Sequence, residues 1–415
     1  MNNGLPTGWQ MAKLGDVCTK VGSGATPRGG EDVYIDNGTA LIRSQNVYND
    51  GFHHDGLAHV GNDHAEELEN VTVEAGDVLL NITGDSVARC CLAPTDVLPA
   101  RVNQHVAIIR PRSDALDRRF LRYVFVSPDM QAHMLALAGA GATRDALTKG
   151  MIESFWVPCP PLHEQETMAC VLGTLDDKIE LNRRMNQTLE QIARAIFKSW
   201  FVDFDPVRAK AAELIAEGTL EIGDGYRAKN TELAAEGLPF VRAGDLQTGF
   251  DLDGAERLGP ASLAKAAVKI SRPGDVAFTS KGTVGRLARV ADDTPQFVYS
   301  PQICFWRTLN ANALHPAILY CWMCSEDFMR QVRAVSGQTD MAPYISLRDQ
   351  RQLTIPRFPA NQHDIGERIA PFLKRQSTAA GESRTLAAIR DALLPKLLSG
   401  EIRVRDAEKV VGKAV

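Results

Sequence analysis

The sequence contains an internal repeat, and this repeat restricts the possible folds more than any other feature. Residues 38–43 (GTALIR) recur as residues 237–242 (GLPFVR), and residues 76–78 (GDV) recur as residues 274–276 (GDV). The offset is 198 or 199 residues in both cases, so the 415 residues form two diverged copies of one unit. Each copy is expected to fold into the same structural unit, and the pair is expected to have pseudo-twofold symmetry.

The first copy ends in a segment with the spacing of a long amphipathic helix. This segment covers residues 162–204, and neither Gly nor Pro interrupts it after Thr174. About forty residues that rise ~1.5 Å each give a helix of roughly 60 Å. Its seam residues alternate in steps of four and three, as in a heptad repeat. They are Met168, Leu172, Leu175, Ile179, Asn182, Asn186, Leu189, Ala193, Ile196 and Trp200.

A second helical segment at residues 362–399 is the expected partner of the first. Leu386 occupies the position of Leu189 at an offset of 197 residues. Because an isolated helix would leave its apolar stripe in water, the two segments are expected to pack as an antiparallel pair. Pro371 and Pro395 predict a kink or a frayed turn in the second helix.

Short runs of strand-like composition open each copy, and a pair of shorter helices follows them. These patterns predict an α+β fold in which two similar globular domains are separated by a pair of long antiparallel helices. The strands are expected near residues 39–43, 77–82, 104–110, 239–242, 275–280 and 299–307, and the helical pairs near 116–138 and 314–335. The expected divisions are 1–160 and 206–358 for the globular domains, 161–205 and 359–405 for the central and distal helical regions, and 406–415 for a tail.

Composition and charge exclude several classes of protein. The net charge is -5 and the pI is about 6.0, so any surface that binds nucleic acid must be local. The sequence contains no run of eighteen apolar residues, so no membrane span is predicted. The first ten residues lack the pattern of a secretory signal, so a cytoplasmic protein is expected. The eight cysteines are scattered and lie mostly in apolar runs, which favours reduced core thiols.

No motif in the sequence predicts catalysis or a metal site. Neither a phosphate-binding Gly-rich loop nor an Asn/Asp-Pro-Pro-aromatic methyltransferase motif is present. The Asp-Asp-Lys run at residues 176–178 is interpreted as a solvated helix face rather than a nuclease centre. The His/Asp cluster at residues 53–64 has zinc-binding chemistry, but its irregular spacing favours a polar loop. Cys321 and Cys324 lie in an apolar run, which favours core packing over a redox or zinc role.

Two similar modules at a fixed distance suit a ligand with two similar sites, and duplex DNA with a split target is such a ligand. Arg or Lys recognises guanine and Asn or Gln recognises adenine, while hydroxyl groups contact phosphates. Arg43 and Arg242 hold the same position in the two copies, which favours a structural or phosphate role for them. The alternative for every candidate is an ordinary polar loop. The candidate DNA-binding residues are Arg43, Ser44, Gln45, Asn46, Thr83, Asn103, Gln104, Thr143, Arg144, Lys149, Arg242, Gln247, Ser280, Lys281, Thr283 and Gln302.

Residues on the two long helices are candidates for the spacer or for subunit docking. Asn182 and Asn186 lie on the helical seam, where a polar side chain lowers stability but fixes the register of the pair. An aromatic cluster at the end of the first helix either packs in a core or offers an apolar docking surface. The candidates are Asn182, Asn186, Phe197, Trp200, Phe201, Phe204, Leu393 and Leu397.

Several of these segments resemble those of a known family. Residues 179–204, which begin IELNRRMNQTLE, resemble the central region of the specificity (S) subunits of type I restriction–modification systems. Residues 393–402 (LLPKLLSGEI) resemble the distal region of that family, and residues 8–17 (GWQMAKLGDV) resemble the entry to its first target recognition domain. The second copy lacks this Gly-Trp…Leu-Gly header and is expected to begin at Leu220.

The resemblance implies a DNA-recognition subunit that performs no chemistry itself. Each recognition domain would recognise one half of an asymmetric, bipartite target, and the helices would set the gap between the halves. The implied partners are double-stranded DNA, two methyltransferase subunits that use S-adenosylmethionine, and restriction subunits that use ATP and Mg²⁺; no cofactor is expected in this chain. The alternatives are a recognition subunit of another bifunctional restriction system, an enzyme with a degenerate nuclease centre, and a coiled-coil adaptor.

Overall fold

The computed structural model describes residues 6–139, 146–201, 208–247, 249–336, 344–359 and 361–415, and for Trp200 and Phe201 it describes the backbone alone. Contacts divide the chain into unit 1 (Met1–Glu180 with Ser383–Val415) and unit 2 (Leu181–Glu382). Both long helices are cut by this division, so each unit contains one half of each helix. Among the described residues, no helix has the length and apolar composition needed to cross a membrane.

Unit 1 is built from many short strands followed by helices. Its strands are β1 (Gln10–Lys13), β2 (Cys18–Ser23), β3 (Tyr34–Ile35), β4 (Thr39–Ile42), β5 (Val47–Tyr48), β6 (Gly51–Phe52), β7 (Ala58–Val60), β8 (Thr72–Val73), β9 (Val78–Asn81), β10 (Cys90–Leu92), β11 (Ala100–Val102), β12 (Val106–Pro111) and β13 (Trp156–Cys159). The α-helices that begin in this unit are α1 (Leu14–Val17), α2 (Asn62–Glu67), α3 (Arg118–Val126), α4 (Pro128–Gly139), α5 (Lys149–Glu153) and α6 (Leu162–Phe201).

Two sheets and a helical layer form the core of unit 1. The four-stranded sheet has the order β10-β9-β12-β2, and the five-stranded sheet has the order β3-β7-β4-β11-β8. Within these sheets every pair is antiparallel except β4 and β11, which run parallel. Successive residues of a strand face opposite sides of a sheet. Accordingly Leu79 packs in the core between the two sheets, whereas Val78 and Leu80 pack against the helices.

Unit 2 repeats this arrangement with fewer strands. Its strands are β14 (Arg208–Lys210), β15 (Leu220–Asp224), β16 (Leu233–Ala234), β17 (Leu238–Val241), β18 (Arg257–Leu258), β19 (Val276–Thr279), β20 (Leu287–Arg289), β21 (Val298–Tyr299), β22 (Ile303–Thr308) and β23 (Thr354–Pro356). The remaining α-helices are α7 (Ala211–Ala216), α8 (Pro260–Ala266), α9 (Pro316–Met323), α10 (Glu326–Ser336), α11 (Leu347–Gln352), α12 (Gln362–Leu398) and α13 (Val404–Ala414), the last of which belongs to unit 1.

The sheet order β15-β22-β19-β20 matches β2-β12-β9-β10, and β16-β18-β17-β21 matches β3-β7-β4-β11 without a strand in the place of β8. Strands β17 and β21 are again the parallel pair of their sheet. The α+β fold with two similar units and two long helices is therefore confirmed.

The start of the second copy differs from the prediction. Strand β14 pairs antiparallel with β23, as β1 pairs with β13 in the first copy. Leu220 therefore begins the second strand of the copy, which pairs with β22 as β2 pairs with β12. Strand pairing is made by backbone groups, so the first strand forms without the Gly-Trp header on which the sequence comparison depended.

The two long helices have the predicted seam. Leu172, Leu175, Asn182 and Ala193 are buried on α6. Within unit 2, Nδ2 of Asn182 donates to Oε2 of Glu382 (3.0 Å), whereas the ring of Phe197, fifteen residues later, lies 6.0 Å from that of Phe358 before α12 begins. This order of contacts makes the helices antiparallel, as predicted.

Neither turn is frayed at the prolines, because α12 continues without interruption through Pro371 and Pro395, and a kink there stays a prediction. Both prolines are exposed. The carbonyl that loses its helical partner at each proline can therefore bond to water, which lowers the cost of the missing hydrogen bond.

A buried glutamine joins the first turn of each long helix to the globular part of its unit. Oε1 of Gln165 accepts from the backbone N–H of Asp117 (2.9 Å), and its Nε2 donates to the carbonyl of Ala115 (3.1 Å). Gln362 repeats this pattern: its Oε1 accepts from the N–H of His315 (2.9 Å) and its Nε2 donates to the carbonyl of Asn312 (2.8 Å). Each amide thus fixes the position where its helix leaves the globular part.

Candidate nucleic-acid interface

The predicted DNA-binding residues lie in loops that follow the central strands of each unit. Because β4 and β11 run parallel, the loops after them begin at the same edge of the sheet. The backbone N–H of Asn103 donates to the carbonyl of Ile42 (3.0 Å), which places the loop at 43–46 beside the loop at 103–105. In unit 2 the N–H of Ser300 donates to the carbonyl of Val241 (2.9 Å) in the same way.

A third loop joins the other two in each unit. In unit 1 the N–H of Ile82 donates to the carbonyl of His105 (3.0 Å), and Oγ1 of Thr83 lies 2.6 Å from Nδ1 of the same histidine. In unit 2 the N–H of Ser280 donates to the carbonyl of Gln302 (2.9 Å), and Lys281 forms a β-bridge with Tyr344. The fold therefore brings together three segments that the sequence suggested separately.

Most of the predicted side chains face outward. Lys149 is the first residue of α5 in unit 1, and its Nζ lies 3.5 Å from Oε1 of Glu153. Thr143 and Arg144 lie outside the described residues. The exposed candidates are Gln45, Gln104, Lys149, Arg242, Gln247, Lys281, Thr283 and Gln302, and the half-buried ones are Arg43, Ser44 and Thr83.

Three predicted DNA contacts are corrected by the structure, because Asn46, Asn103 and Ser280 are buried. Oδ1 of Asn46 accepts from the N–H of Arg43 (3.0 Å), and its Nδ2 donates to the carbonyl of His53 (2.9 Å). Oδ1 of Asn103 accepts from a backbone N–H at 3.1 Å, and Oγ of Ser280 donates to a carbonyl at 3.2 Å. These side chains hold the loops in shape and are not available to a base edge.

Arg43 and Arg242 also have partners within their own units. Nη2 of Arg43 donates to the carbonyl of Gly56 (2.8 Å), and its Nη1 lies 3.2 Å from Glu31. Nε of Arg242 donates to Oε2 of Glu256 (2.8 Å). Arg43 is mostly buried, whereas about half of the Arg242 side chain is exposed (48%). Only Arg242 therefore keeps a guanidinium that can reach a ligand while retaining its partner.

The candidate metal and redox groups have other roles. Among the described residues, possible metal ligands lie close together at His315, His363 and Glu367. The cluster at residues 53–64 does not form such a group within the described part of the chain. Nδ1 of His315 accepts from the first-turn N–H of Ala317 (3.2 Å), so its Nε2 carries the proton and faces Oε1 of Glu367 (3.1 Å). This tautomer caps α9 and leaves no lone pair on the ring for a metal.

Burial raises the pKa of the Cys321 thiol to about 12 and that of Cys324 to about 11. Both thiols are therefore protonated at neutral pH. Protonated, largely buried thiols fit the predicted core packing and not a redox role, which requires a thiolate.

Sequence reasoning missed the role of Asp176, which is mostly shielded from solvent and bonded within unit 1. Its Oδ2 accepts from Nη1 of Arg122 (2.8 Å) and from the hydroxyl of Tyr123 (2.7 Å) on α3, and its Oδ1 accepts from Nη1 of Arg390 (2.7 Å) on α12. Burial opposes ionisation, but the charge of Arg122 and the hydrogen bonds hold the pKa of Asp176 below its usual value. Nη2 of Arg122 also donates to the carbonyl of Asn49 (2.6 Å), so the network reaches from the helices to the β5–β6 turn.

The helix candidates serve the packing of each unit. Phe197, Leu393 and Leu397 are buried in the two main cores, and Asn182 is buried on the seam. Oδ1 of Asn186 is also buried and has no hydrogen-bond partner. Phe204 lies outside the described residues, and the side chains of Trp200 and Phe201 are not described. The predicted docking role of these three aromatic residues therefore stays a prediction.

Comparisons with known proteins agree with this architecture. Residues 6–191 match the family model described as the type I restriction modification DNA specificity domain. The chain is 25% identical over 441 aligned positions to the MjaIX type I restriction enzyme specificity subunit of Methanocaldococcus jannaschii, covering 97% of this chain and 95% of that one. It is 30% identical over 228 positions to the HindI specificity subunit of Haemophilus influenzae, covering 55% of this chain and 46% of that one.

A solved structure shows the same fold. The crystal structure of the type I restriction–modification S subunit from M. genitalium superposes with a TM-score of 0.60 at 14% identity and covers 96% of this chain and 97% of that one. The chain is therefore similar in fold to this S subunit, and residues 6–191, a little under half of the chain, are similar in sequence to the type I restriction modification DNA specificity domain.

Proposed function

We propose that this chain recognises a bipartite, asymmetric DNA target for a type I restriction–modification complex, with one half-site bound by each unit. One observation carries the proposal: both units present loops at the same strand ends, but the exposed side chains differ. Gln104 and its counterpart Gln302 are exposed in both units, but Arg242 and Lys281 are exposed in unit 2 where the equivalent Arg43 and Thr83 of unit 1 are half-buried. Since amides prefer adenine and cationic side chains prefer guanine, the two half-sites should differ in sequence.

The chain acts without chemistry of its own in this proposal. Methylation requires S-adenosylmethionine in methyltransferase subunits, and cleavage requires ATP and Mg²⁺ in restriction subunits. The sequence motifs for binding these cofactors are absent from this chain, which supports their placement in the partners. Purified chain that methylated or cut DNA without partners would contradict the proposal.

The methyltransferase subunit is proposed to dock on the helical part of unit 1. An apolar groove of about 450 Å³ lies between α12 and α13, lined by Thr385, Ile389, Lys409, Val410, Lys413 and Ala414. Val410 is 44% exposed, and the two lysines flank it on the same helix. An apolar floor with a basic rim suits an apolar partner surface edged by carboxylates.

Docking can be tested by pull-down of the co-expressed methyltransferase subunit. Val410→Glu should reduce the amount recovered, because it puts a charge into the groove. The matched control is Glu408→Gln, an exposed position on the same helix, which should leave recovery unchanged. Equal recovery with both variants would place the docking surface elsewhere.

Methylome sequencing of a host that carries this chain and its methyltransferase tests recognition. The expected result is one split motif with adenine methylation in both halves. Inserting one heptad into α6 and one into α12 at matched seam positions should lengthen the gap and leave both half-sites unchanged, because the helices determine the spacing. A continuous motif, or a gap that does not respond to the insertion, would contradict the proposal.

A further inference from the structure

A polar cleft of about 260 Å³ opens in unit 2 where the parallel strands β17 and β21 end. The residues that matter for its chemistry are Arg227, Asn230, Phe240, Arg242, Ser300 and Gln302. Arg227, Asn230, Arg242 and Gln302 are exposed, while Phe240 and Ser300 are buried. The cleft therefore combines an enclosed floor with donor side chains at its rim.

Ser300, which lines the cleft, has a hydroxyl group without a hydrogen-bond partner. Ser300 is 2% exposed, and its Oγ makes no hydrogen bond. Its backbone groups are used, since the N–H donates to Val241 (2.9 Å) and the carbonyl accepts from Ile303 (2.9 Å). A buried hydroxyl without a partner is unfavourable, and a ligand atom that accepts its proton would remove that cost.

The rim of the cleft carries uncompensated positive charge. Arg242 is paired with Glu256, and its guanidinium lies 5.5 Å from the centre of the Phe240 ring. Arg227 forms neither an ion pair nor a hydrogen bond with the described part of the chain, so its charge is free to meet a ligand. Together with the amides of Asn230 and Gln302, these groups can donate several hydrogen bonds to one anion.

The concave shape decides between the two kinds of DNA contact. In a duplex the phosphates project from the backbone, whereas the base edges are recessed in the grooves and are reached by side chains that project from the protein. A cleft therefore receives a phosphate better than a base edge. The geometry points to a phosphodiester site: we propose that this cleft binds one backbone phosphate of the DNA and so fixes the position of unit 2 on the duplex. The inference rests on the proposed function.

The first copy lacks this site. Gly24 and Gly225 hold equivalent positions, since a Cβ atom on either would lie 2.0 Å from a backbone oxygen of the neighbouring strand end. Counted from these glycines, Thr26 stands in the first copy where Arg227 stands in the second. Asn103 replaces Ser300, and its Oδ1 is already bonded within the loop. The phosphate contact is therefore specific to unit 2.

The test compares Arg227→Gln with Arg272→Gln in the full-length chain. Arg272 is an exposed arginine of the same unit that lies outside the cleft, before β19, so the control makes the same charge change. Binding is measured by fluorescence anisotropy between about 50 and about 200 mM salt. Three duplexes serve as probes. One carries the motif identified by methylome sequencing, and in each of the other two one half-site of that motif is scrambled.

Arg227→Gln should weaken binding to all three duplexes by the same factor, roughly tenfold, and should reduce the salt-dependence slope by about 1. Ser300→Ala should also weaken all three without lowering the melting temperature, because its Oγ has no partner to lose. If Arg227→Gln weakened binding only to duplexes with intact half-sites, the cleft would be a site of base recognition. If the affinities of Arg227→Gln equalled those of Arg272→Gln, the cleft would not be a phosphate site. If the wild-type chain in its complex bound the three duplexes equally, the proposed function itself would fail.

Discussion

The carboxylate of Asp176 offers the sharpest test of how unit 1 is held together. Its two oxygens accept hydrogen bonds from Arg122, Tyr123 and Arg390, and so connect α6 with α3 and α12. The substitution Asp176→Asn removes the negative charge and turns one oxygen into an NH₂ group. Because every partner is a donor, that NH₂ group faces another donor instead of accepting a hydrogen bond.

The expected loss follows from the burial of the partners. Only 9% of the Arg122 side chain is exposed, so its charge cannot recover its hydration when Asp176 is neutralised. Breaking a buried ion pair costs roughly 3–5 kcal/mol, and since Asp176 itself is 24% exposed we take about 3 kcal/mol. At roughly 2–4 °C per kcal/mol, the transition of unit 1 should fall by about 6–12 °C.

Differential scanning calorimetry of the full chain measures this shift, with Asp177→Asn as the matched control. Asp177 is the exposed neighbour on the same helix, and its substitution should change stability by no more than about 0.5 kcal/mol. A melting temperature for Asp176→Asn equal to that of the control would refute the network and restore the solvated helix face expected from the sequence.

The pH dependence of the same pair of proteins gives a second readout. The pKa of Asp176 is lowered in the folded chain, because the charge of Arg122 and the donated hydrogen bonds outweigh burial. The carboxylate therefore stabilises the fold above its unfolded-state pKa, and this contribution is lost as the pH falls through the folded-state pKa. The difference between wild type and Asp176→Asn should be full at neutral pH and should shrink in acid.

Three further predictions concern unit 2. Gly225→Ala would place a Cβ atom 2.0 Å from the carbonyl oxygen of Ser300, so we expect its melting temperature to fall by several degrees, whereas Gly254→Ala, which meets open space, should leave it unchanged. Gln362→Leu removes three hydrogen bonds of about 1 kcal/mol each and should lower the urea midpoint accordingly. Burial lowers the pKa of His315, so its neutral form stabilises the fold above the unfolded-state pKa and this contribution is lost as the pH falls. His315→Asn keeps a capping side chain and should lose less melting temperature than wild type between about pH 7.5 and about pH 5.5.

The architecture was predictable because it depends on patterns that survive divergence. The repeat offset located the second copy, and the spacing of four and three located the helical seam before any contact was known. Buried seam residues such as Leu175 and Leu373 then followed from the helical period alone. The prolines of α12 do not fray the helix, because propensity acts locally, whereas a helix packed along its length tolerates the loss of single hydrogen bonds on its exposed side.

The site was only partly predictable, because the chemistry of a side chain does not reveal its surroundings. Asn46 and Gln45 are adjacent amides after the same strand, yet Asn46 is fully buried and bonded while Gln45 is exposed. Asp176 and Asp177 differ in the same way, since only one of the two points toward α3 and α12. Arg227 was missed because it lies in no strand or helix, and only the folded chain brings it to the cleft at the end of β21.

The two copies keep the same internal contacts but differ at their exposed loops, and this contrast bears on function. Arg110 donates to Asp77 through Nε (2.7 Å) and Nη2 (2.8 Å), and Arg307 donates to Asp275 through the same atoms at the same distances. A bidentate pair of this kind, buried in unit 2 and partly buried in unit 1, fixes the sheet and does not depend on what the loops bind. Since the sheets are held alike, the loops can differ without altering the fold, as the proposed recognition of a different half-site by each unit requires. A chain in which the loops of unit 1 replaced those of unit 2 should accordingly recognise two identical half-sites. If the gap between these half-sites differed from that in the wild-type target, the loops, and not the helices alone, would contribute to the spacing.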